Sequence, residues 1–164
     1  MAKSKGANVY NEDQYKADAS FMEYALAEAQ KAADIGEVPV GAVIVKDGKV
    51  IASAHNFREN GKIATAHAEL LAIEKACRAL GGWRLCGCTL YVTLEPCPMC
   101  AGAIINSRLD RVVYGAADPA AGCCKSIINV NSYPFNHSFK VSAGVLEDKC
   151  SEILKTFFEK KRTR

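Results

Sequence analysis

The apolar positions of the chain change their spacing several times, and each change predicts an element. Helical spacing over 20–36 predicts a first helix that is capped at Ser20. Two short β-branched runs follow, Val40–Val45 and Val50–Ala52, and an Asp-Gly pair lies between them. Asp-Gly between such runs is typical of a β-hairpin, so these strands are predicted to be antiparallel neighbours.

The second half of the chain alternates predicted strands with predicted helices. The elements are, in order, a polar loop over 55–64, a helix from Thr65 to Gly81, a strand Thr89–Leu94, a helix from Pro96 to about Ser107, a strand Arg111–Gly115, a helical turn over 125–130, a strand over 139–145 and a last helix from Glu147. The last helix is predicted to bury Cys150, Ile153, Leu154, Phe157 and Phe158. This order predicts an α/β fold, a three-layer α/β/α sandwich whose five-stranded mixed sheet has an antiparallel first hairpin.

The chain has no internal repeat and no linker. Its 164 residues suit one domain with a sizeable core. Residues 1–17 are polar and irregular, and we predict that they form a flexible N-terminal extension. Residues 18–164 are predicted to form the domain itself.

Composition excludes several classes of protein. Apolar residues make up 49% and charged residues 24%, with a net charge of +3, which is typical of a globular protein. No apolar run approaches the roughly 18 residues of a membrane span, and no apolar stretch follows the basic start as in a signal peptide. The eight cysteines are therefore expected to be free or metal-bound in a reducing cytosol. Lys160–Arg164 carries four positive charges, which suits either a solvated terminus or a tail that contacts phosphates.

Candidate chemistry is concentrated at two predicted helix starts. Cys97 and Cys100 are three residues apart and can offer two thiolates to one metal, and His67 can supply a third ligand. Three protein ligands leave a tetrahedral zinc with an open position, where the pKa of a bound water falls to about 7. Glu69 is the candidate proton carrier there. A structural zinc, or a reduced Cys-x-x-Cys with a coincidental histidine, is the competing interpretation.

The motif His-x-Glu followed by Pro-Cys-x-x-Cys is the signature of zinc nucleobase deaminases. The flanking sequence resembles the bacterial tRNA-specific adenosine deaminases, within the cytidine deaminase superfamily, from about Phe21 to the last helix. The segments that carry the resemblance are 37–43, 65–69, 90–97, 99–103 and 111–116.

That resemblance implies a set of roles. His67, Cys97 and Cys100 match zinc ligands, and Glu69 matches the proton shuttle; Asn56, Asp118, Asn136, His137, Phe157 and Phe158 match positions near the target nucleoside or the RNA. It implies a cytoplasmic homodimer that hydrolyses the wobble adenosine in the anticodon stem-loop of an arginine tRNA to inosine and releases ammonia.

Other interpretations of these residues stay open at this point. A deaminase of a free nucleobase or nucleoside, of the guanine or cytosine type, would keep the same zinc ligands. A non-catalytic, zinc-stabilised RNA-binding module is a third possibility, although it has no use for Glu69. Considered individually, Asn56 suits a loop cap, Asp118 a turn and His137 an ordinary loop position.

Overall fold

The computed structural model describes residues 10–163, which form one sheet with helices on both faces. The elements are α1 (Glu12–Asp34), β1 (Gly41–Lys46), β2 (Lys49–His55), α2 (Arg58–Gly61), α3 (Ala68–Leu80), β3 (Cys88–Leu94), α4 (Pro98–Asn106), β4 (Arg111–Ala116), β5 (Lys140–Ala143) and α5 (Glu147–Arg162), with a 3₁₀ turn at Val130–Ser132. Within these residues no helix combines the length and the apolar character that crossing a membrane requires.

The sheet is mixed, as predicted. Its strand order is β2-β1-β3-β4-β5. β1 runs antiparallel to both β2 and β3, whereas β3, β4 and β5 run parallel to one another. The predicted hairpin and the predicted five-stranded sheet are both confirmed.

Alternating side chains of the central strands build two cores, one on each face of the sheet. Leu90 and Val92 of β3 point to the face that α3 and α4 cover. Tyr91 of β3 and Val113 of β4 point to the opposite face, where α1 and α5 pack. The three-layer sandwich follows from this alternation.

The first helix begins eight residues before its predicted start. α1 starts at Glu12, and the side chain of Asn11 caps it by accepting from the Asp13 backbone N–H at 2.8 Å. The predicted start at Ser20 is therefore wrong, and residues 12–17 are helical rather than irregular. Residues 1–9 of the predicted extension lie outside the described residues.

A buried carboxylate explains why this early turn is ordered. The Asp18 side chain is fully buried in α1. It accepts two hydrogen bonds from the Arg111 guanidinium, at 2.6 and 2.8 Å, and one from Tyr91 at 2.8 Å, and it also accepts from Tyr10. These contacts fix the start of α1 to β3 and β4.

We expect Asp18→Asn to lower the free energy of unfolding by about 3 kcal/mol, because it leaves a largely buried arginine without its partner. Burial raises the pKa of Asp18, but the hydrogen bonds from Arg111 hold it below its ordinary value. This stabilisation is therefore present at neutral pH and is lost as the pH falls below about 4. Urea denaturation from pH 7 downwards measures both effects. Asp34→Asn, at the exposed end of α1, is the control, and equal losses in the two variants would contradict the prediction.

The last helix buries less than predicted. Of the five side chains expected inside, only Cys150 is buried; Phe157 is partly buried and Phe158 is 44% exposed. Among residues 10–163, α5 packs mainly against β4, α1 and β3, which leaves the side of the helix that faces away from them exposed.

The predicted helical turn over 125–130 is also wrong. Hydrogen-bonded turns occupy 123–126, and the 3₁₀ turn begins only at Val130. The backbone N–H groups of residues 124–126 donate to the side chain of Glu95 instead of to a helix.

Candidate metal and active site

His67 lies at the N-terminus of α3, as its N-cap residue. The predicted cap Thr65 does not cap this helix. Asn56, at the end of β2, does so from a distance, because its Oδ1 accepts from the Ala68 backbone N–H at 2.9 Å. An N–H can only donate, so this bond fixes the amide orientation of Asn56.

Cys97 and Cys100 lie at the start of α4. Cys97 is the N-cap residue and Pro98 occupies the first helical position, where its missing N–H costs nothing. Cys100 follows one turn later and is fully buried. Two helix N-termini therefore meet at this point, and their positive dipole ends favour thiolates.

The three candidate ligands have the spacing of a zinc site. Nδ1 of His67 lies 3.6 Å from Sγ of Cys97 and 3.6 Å from Sγ of Cys100. All three donor atoms lie within 4.8 Å of one another. Zn–S bonds of about 2.3 Å and Zn–N bonds of about 2.0–2.1 Å give a tetrahedral S–N edge of about 3.6 Å. The donor set and both N–S distances fit a zinc site.

The two thiols differ in their electrostatics. A hydrogen bond from Cys100 lowers the pKa of Cys97 to about 4, although burial opposes it, and a further hydrogen bond from His67 adds to the effect. The pKa of Cys100 is raised because it is the donor to Cys97 and is itself buried. Cys97 is thus the first of the pair to become a thiolate.

Glu69 lies in the first turn of α3, two residues after His67, and its side chain is 4% exposed. Burial raises the pKa of this carboxyl to about 7. A carboxyl group whose pKa lies near neutral can both accept and donate a proton there, which is what general acid–base catalysis requires.

These residues open onto one small cavity of about 140 Å³. It is lined by Val38, Val40, Asn56, Arg58, His67, Glu69, Leu94, Glu95, Cys97 and Asp118. Two of the predicted contact residues, Asn56 and Asp118, therefore share a cavity with the candidate ligands. Arg58 and Glu95 were not predicted as site residues: Arg58 lies outside the segments that carry the resemblance, and Glu95 lies within one of them but was assigned no role.

Two buried carboxylates hold the walls of this cavity. Glu37 accepts from the backbone N–H groups of Arg58 (3.1 Å) and Asn60 (2.8 Å), and so fixes α2. Glu95 accepts from the loop that follows β4, which includes Asp118. Burial raises the pKa of both carboxyls, but these hydrogen bonds hold each below its ordinary value, so both groups are carboxylates at neutral pH.

Asp118 is itself held by its own loop. Its Oδ1 accepts from the backbone N–H groups of Ala120 (3.0 Å) and Ala121 (3.2 Å). Asp118 is partly exposed and lines the cavity. Asp118 is therefore both a turn residue and a residue that lines the candidate site.

Asn136 and His137 lie away from the cavity. Asn136 lines a separate apolar groove on the outer side of α4. Nε2 of His137 lies 2.7 Å from the carbonyl oxygen of Leu109, so that nitrogen donates to it. Within one chain these two residues are not brought together with Glu69.

Phe157 and Phe158 are also outside the cavity lining. Their rings pack edge to face with centroids 5.4 Å apart, and Nζ of Lys161 lies 5.1 Å from the Phe157 ring centroid. Lys160 and Arg162 are exposed on the same helix, which extends to Arg162. The aromatic pair and the basic residues form one exposed helix end.

In comparisons with known proteins, the matching family model and a close relative are both deaminases. A family model described as MafB19-like deaminase matches residues 16–162. A tRNA-specific adenosine deaminase of Bacillus subtilis (strain 168) is 52% identical over 148 residues, which cover 90% of this chain and 92% of that protein.

Solved structures agree in fold. One, from a study of A-to-I editing by tRNA:A34 deaminases at the wobble position of transfer RNA, is 48% identical with a TM-score of 0.80, and the match covers 82% of this chain and 99% of that one. A guanine deaminase from Bacillus subtilis is 42% identical with a TM-score of 0.58, but the match covers 65% of each chain. The likeness to the first structure thus extends over more of the chain.

Proposed function

This chain belongs to the tRNA-specific adenosine deaminase family, and we propose that it hydrolyses adenosine to inosine at the wobble position of a tRNA anticodon. One observation carries the deamination chemistry: a buried carboxyl, Glu69, shares a 140 Å³ cavity with His67 and Cys97 of the candidate zinc ligands. The relatives that are tRNA-specific adenosine deaminases support tRNA as the substrate.

His67, Cys97 and Cys100 are the residues that would hold the zinc ion. Bound there, zinc supplies Lewis acidity that makes water a nucleophile near neutral pH. Helix α3, capped by Asn56, and helix α4, opened by Pro98, position the three donor atoms. Two thiolates and one imidazole are a donor set that favours zinc over magnesium or calcium.

Glu69 would carry the protons. It takes a proton from the attacking water as the new C6–O bond forms, and delivers it to N1 of the adenine ring. A second proton then passes to the exocyclic nitrogen, the C6–N6 bond breaks, and ammonia leaves inosine behind. Because Glu69 is 4% exposed, bulk water does not compete for this transfer.

The cavity suits a base that has left its stack. A nucleotide in an anticodon loop is already unpaired, so bringing it into a small pocket costs less than flipping it from a duplex. Since Oδ1 of Asn56 is occupied by the α3 backbone, its Nδ2 amide is the group that would face the base. Asp118 would face the sugar. An arginine tRNA as substrate, and a cytoplasmic location, are part of the same proposal.

Other predicted contacts would act outside the cavity. Asn136, His137, Phe157 and Phe158 would meet the loop and stem of the RNA, and Lys160–Arg162 would contact phosphates. A chain whose cavity admits only one base needs such a surface to hold the rest of a tRNA.

The decisive experiment incubates the zinc-loaded protein with an anticodon stem-loop that carries adenosine at the wobble position. Reverse transcription should detect inosine at that position alone. Free guanine, cytosine and adenosine, assayed by ammonia release, test the alternative of a free-base or nucleoside deaminase. Ammonia release from a free base with no inosine in the RNA would reject the proposal in favour of that alternative.

We also propose that the chain forms a homodimer through the groove beside α4. This groove has a volume of about 390 Å³ and includes Ile105 and Val130. Large apolar side chains stand exposed around it, with exposed fractions of 38% for Ile128, 53% for Tyr133 and 56% for Phe135. Such a patch is typical of a protein interface.

Phe135→Asp is expected to weaken dimerisation by about 100-fold, since burying a phenylalanine contributes about 3 kcal/mol and a charge would replace it. Light scattering coupled to size-exclusion chromatography over a dilution series measures the dissociation constant. Tyr24→Asp, at a 57% exposed aromatic on α1, is the control. A monomeric wild-type protein would rule out the dimer, and an unchanged Phe135→Asp dimer would move the interface elsewhere.

A further inference from the structure

Glu95 lies between β3 and the segment that carries Cys97, and its carboxylate accepts five hydrogen bonds. Its side chain is 2% exposed. Oε1 accepts from the backbone N–H groups of Cys124 (3.1 Å), Lys125 (2.8 Å) and Ser126 (2.9 Å). Oε2 accepts from the Asp118 backbone N–H at 3.0 Å and from the Ser126 hydroxyl. All five donors come from one loop.

That loop, residues 117–126, has no strand or helix of its own to satisfy its backbone. The Glu95 carboxylate therefore supplies the acceptor that a neighbouring strand or helical turn supplies to backbone N–H groups elsewhere. A second anchor lies beside it, because the Pro96 carbonyl oxygen accepts from the Cys123 backbone N–H at 2.9 Å. The two anchors join the loop to the segment that carries Cys97.

The loop also wraps the carboxylate closely. A Cβ on Gly122 would lie 2.3 Å from the Glu95 carboxyl group and 2.6 Å from the Asp118 carbonyl oxygen. Only glycine permits this approach. Residue 122 must therefore be glycine for the loop to pack against Glu95 in this way.

The outcome of this arrangement is the position of Asp118. Its backbone N–H is bound to Glu95, and both Asp118 and Glu95 line the cavity. From this geometry we propose that Glu95 is a positioning residue, which holds the loop 117–126, and through it Asp118, against the nucleotide. The proposal rests on the proposed function for its substrate.

The carboxylate is needed in its ionic form because every group facing it is a donor. A glutamine would turn one acceptor oxygen into an NH₂ donor, and in either orientation that NH₂ would face N–H or O–H groups. Glu95→Gln should therefore release the loop, whereas Ser126→Ala removes only one of five hydrogen bonds. A misplacement of about 1 Å at a reacting site can cost about 100-fold in rate.

We expect Glu95→Gln to lower kcat/KM on the anticodon stem-loop by about 30- to 100-fold, mainly through KM, with zinc retained at one ion per chain. Hydrogen exchange in peptides covering 117–126 should speed up at least about tenfold. Ser126→Ala should lose less than about threefold. Gly122→Ala leaves Glu95 in place but displaces the loop, and should reproduce Glu95→Gln; it also tests the proposal if Glu95→Gln does not fold.

Asp18→Asn is the matched control, because Asp18 is an equally buried carboxylate with several donors, located away from the cavity. It should lose stability yet keep kcat/KM within about twofold at a temperature where it is folded. Loop exchange and kcat/KM that stay at wild-type values in Glu95→Gln would overturn the proposal, as would an equal loss of kcat/KM in Asp18→Asn or a loss of zinc. If wild-type protein formed no inosine, the proposed function would fail, while the exchange data would still decide the role of Glu95 in the loop.

Discussion

Glu69→Gln is expected to lower inosine formation by about 1,000-fold or more while the protein keeps its fold and its zinc. Glutamine has nearly the same shape as glutamate, and Glu69 is not one of the three candidate zinc ligands. What it loses is the ability to take a proton from water and return it to the base. General acid–base catalysis is worth about 10²–10⁴-fold, and one residue here serves both transfers, so the expected loss lies in the upper part of that range.

Single-turnover conversion of the anticodon stem-loop measures this loss, and metal analysis of the same sample measures zinc. Glu74→Gln is the matched control on the same helix, since the Glu74 side chain is 57% exposed and lies 3.8 Å from Arg78. It should keep full activity. A Glu69→Gln enzyme within tenfold of wild type would mean that another group moves the protons.

The central strands of the sheet could be predicted from the sequence, but the start of the first helix could not. The apolar runs of β1 and β3 and the order of strands and helices predict a sheet that is covered on both faces, and the structure confirms it. The start of α1 is not visible in the same way, because Asp18 is bonded to Arg111, 93 residues away. A pattern of local apolar spacing cannot contain a contact of that separation, and residues 12–17 therefore look irregular in the sequence.

The candidate site shows the same division. His67, Cys97 and Cys100 are recognisable because metal ligands must be particular residue types at restricted spacing. Glu37 and Glu95 lie in segments that carry the resemblance, but their roles are not recognisable, because most of their partners are backbone N–H groups, which every residue except proline carries. A carboxylate that accepts from backbone N–H groups places little restriction on the residue types of the loop it binds, so the loop sequence does not reveal the contact.

Asn56 shows how one residue can satisfy two interpretations. As a loop residue it was predicted to cap or to contact substrate, and under the proposed function its two amide atoms divide those tasks. Oδ1 caps α3. Nδ2 is left for the cavity that Asn56 lines. The sequence offers the two roles as alternatives, and only the geometry makes them compatible.

Cys97→Ala should reduce the zinc content from one ion per chain to near zero and abolish deamination. Two of the three donors would remain, His67 and Cys100, and a protein site with two ligands does not hold zinc as a three-ligand site does. Zinc that binds only the folded state stabilises it, so wild-type protein should melt at a higher temperature with zinc than after chelation. The variant should melt at the same temperature in both conditions.

The control for this experiment is Cys86→Ala, because Cys86 is an exposed free thiol outside the donor set. It should bind one zinc per chain and keep its zinc-dependent rise in melting temperature. The comparison separates loss of a ligand from loss of any thiol. If Cys97→Ala retained one zinc per chain, the three-donor site would be wrong, and the meeting of two helix N-termini around His67 and Cys97 would need another explanation. If it lost zinc but still formed inosine, the metal would be structural, and Glu69 would have to act on water without it.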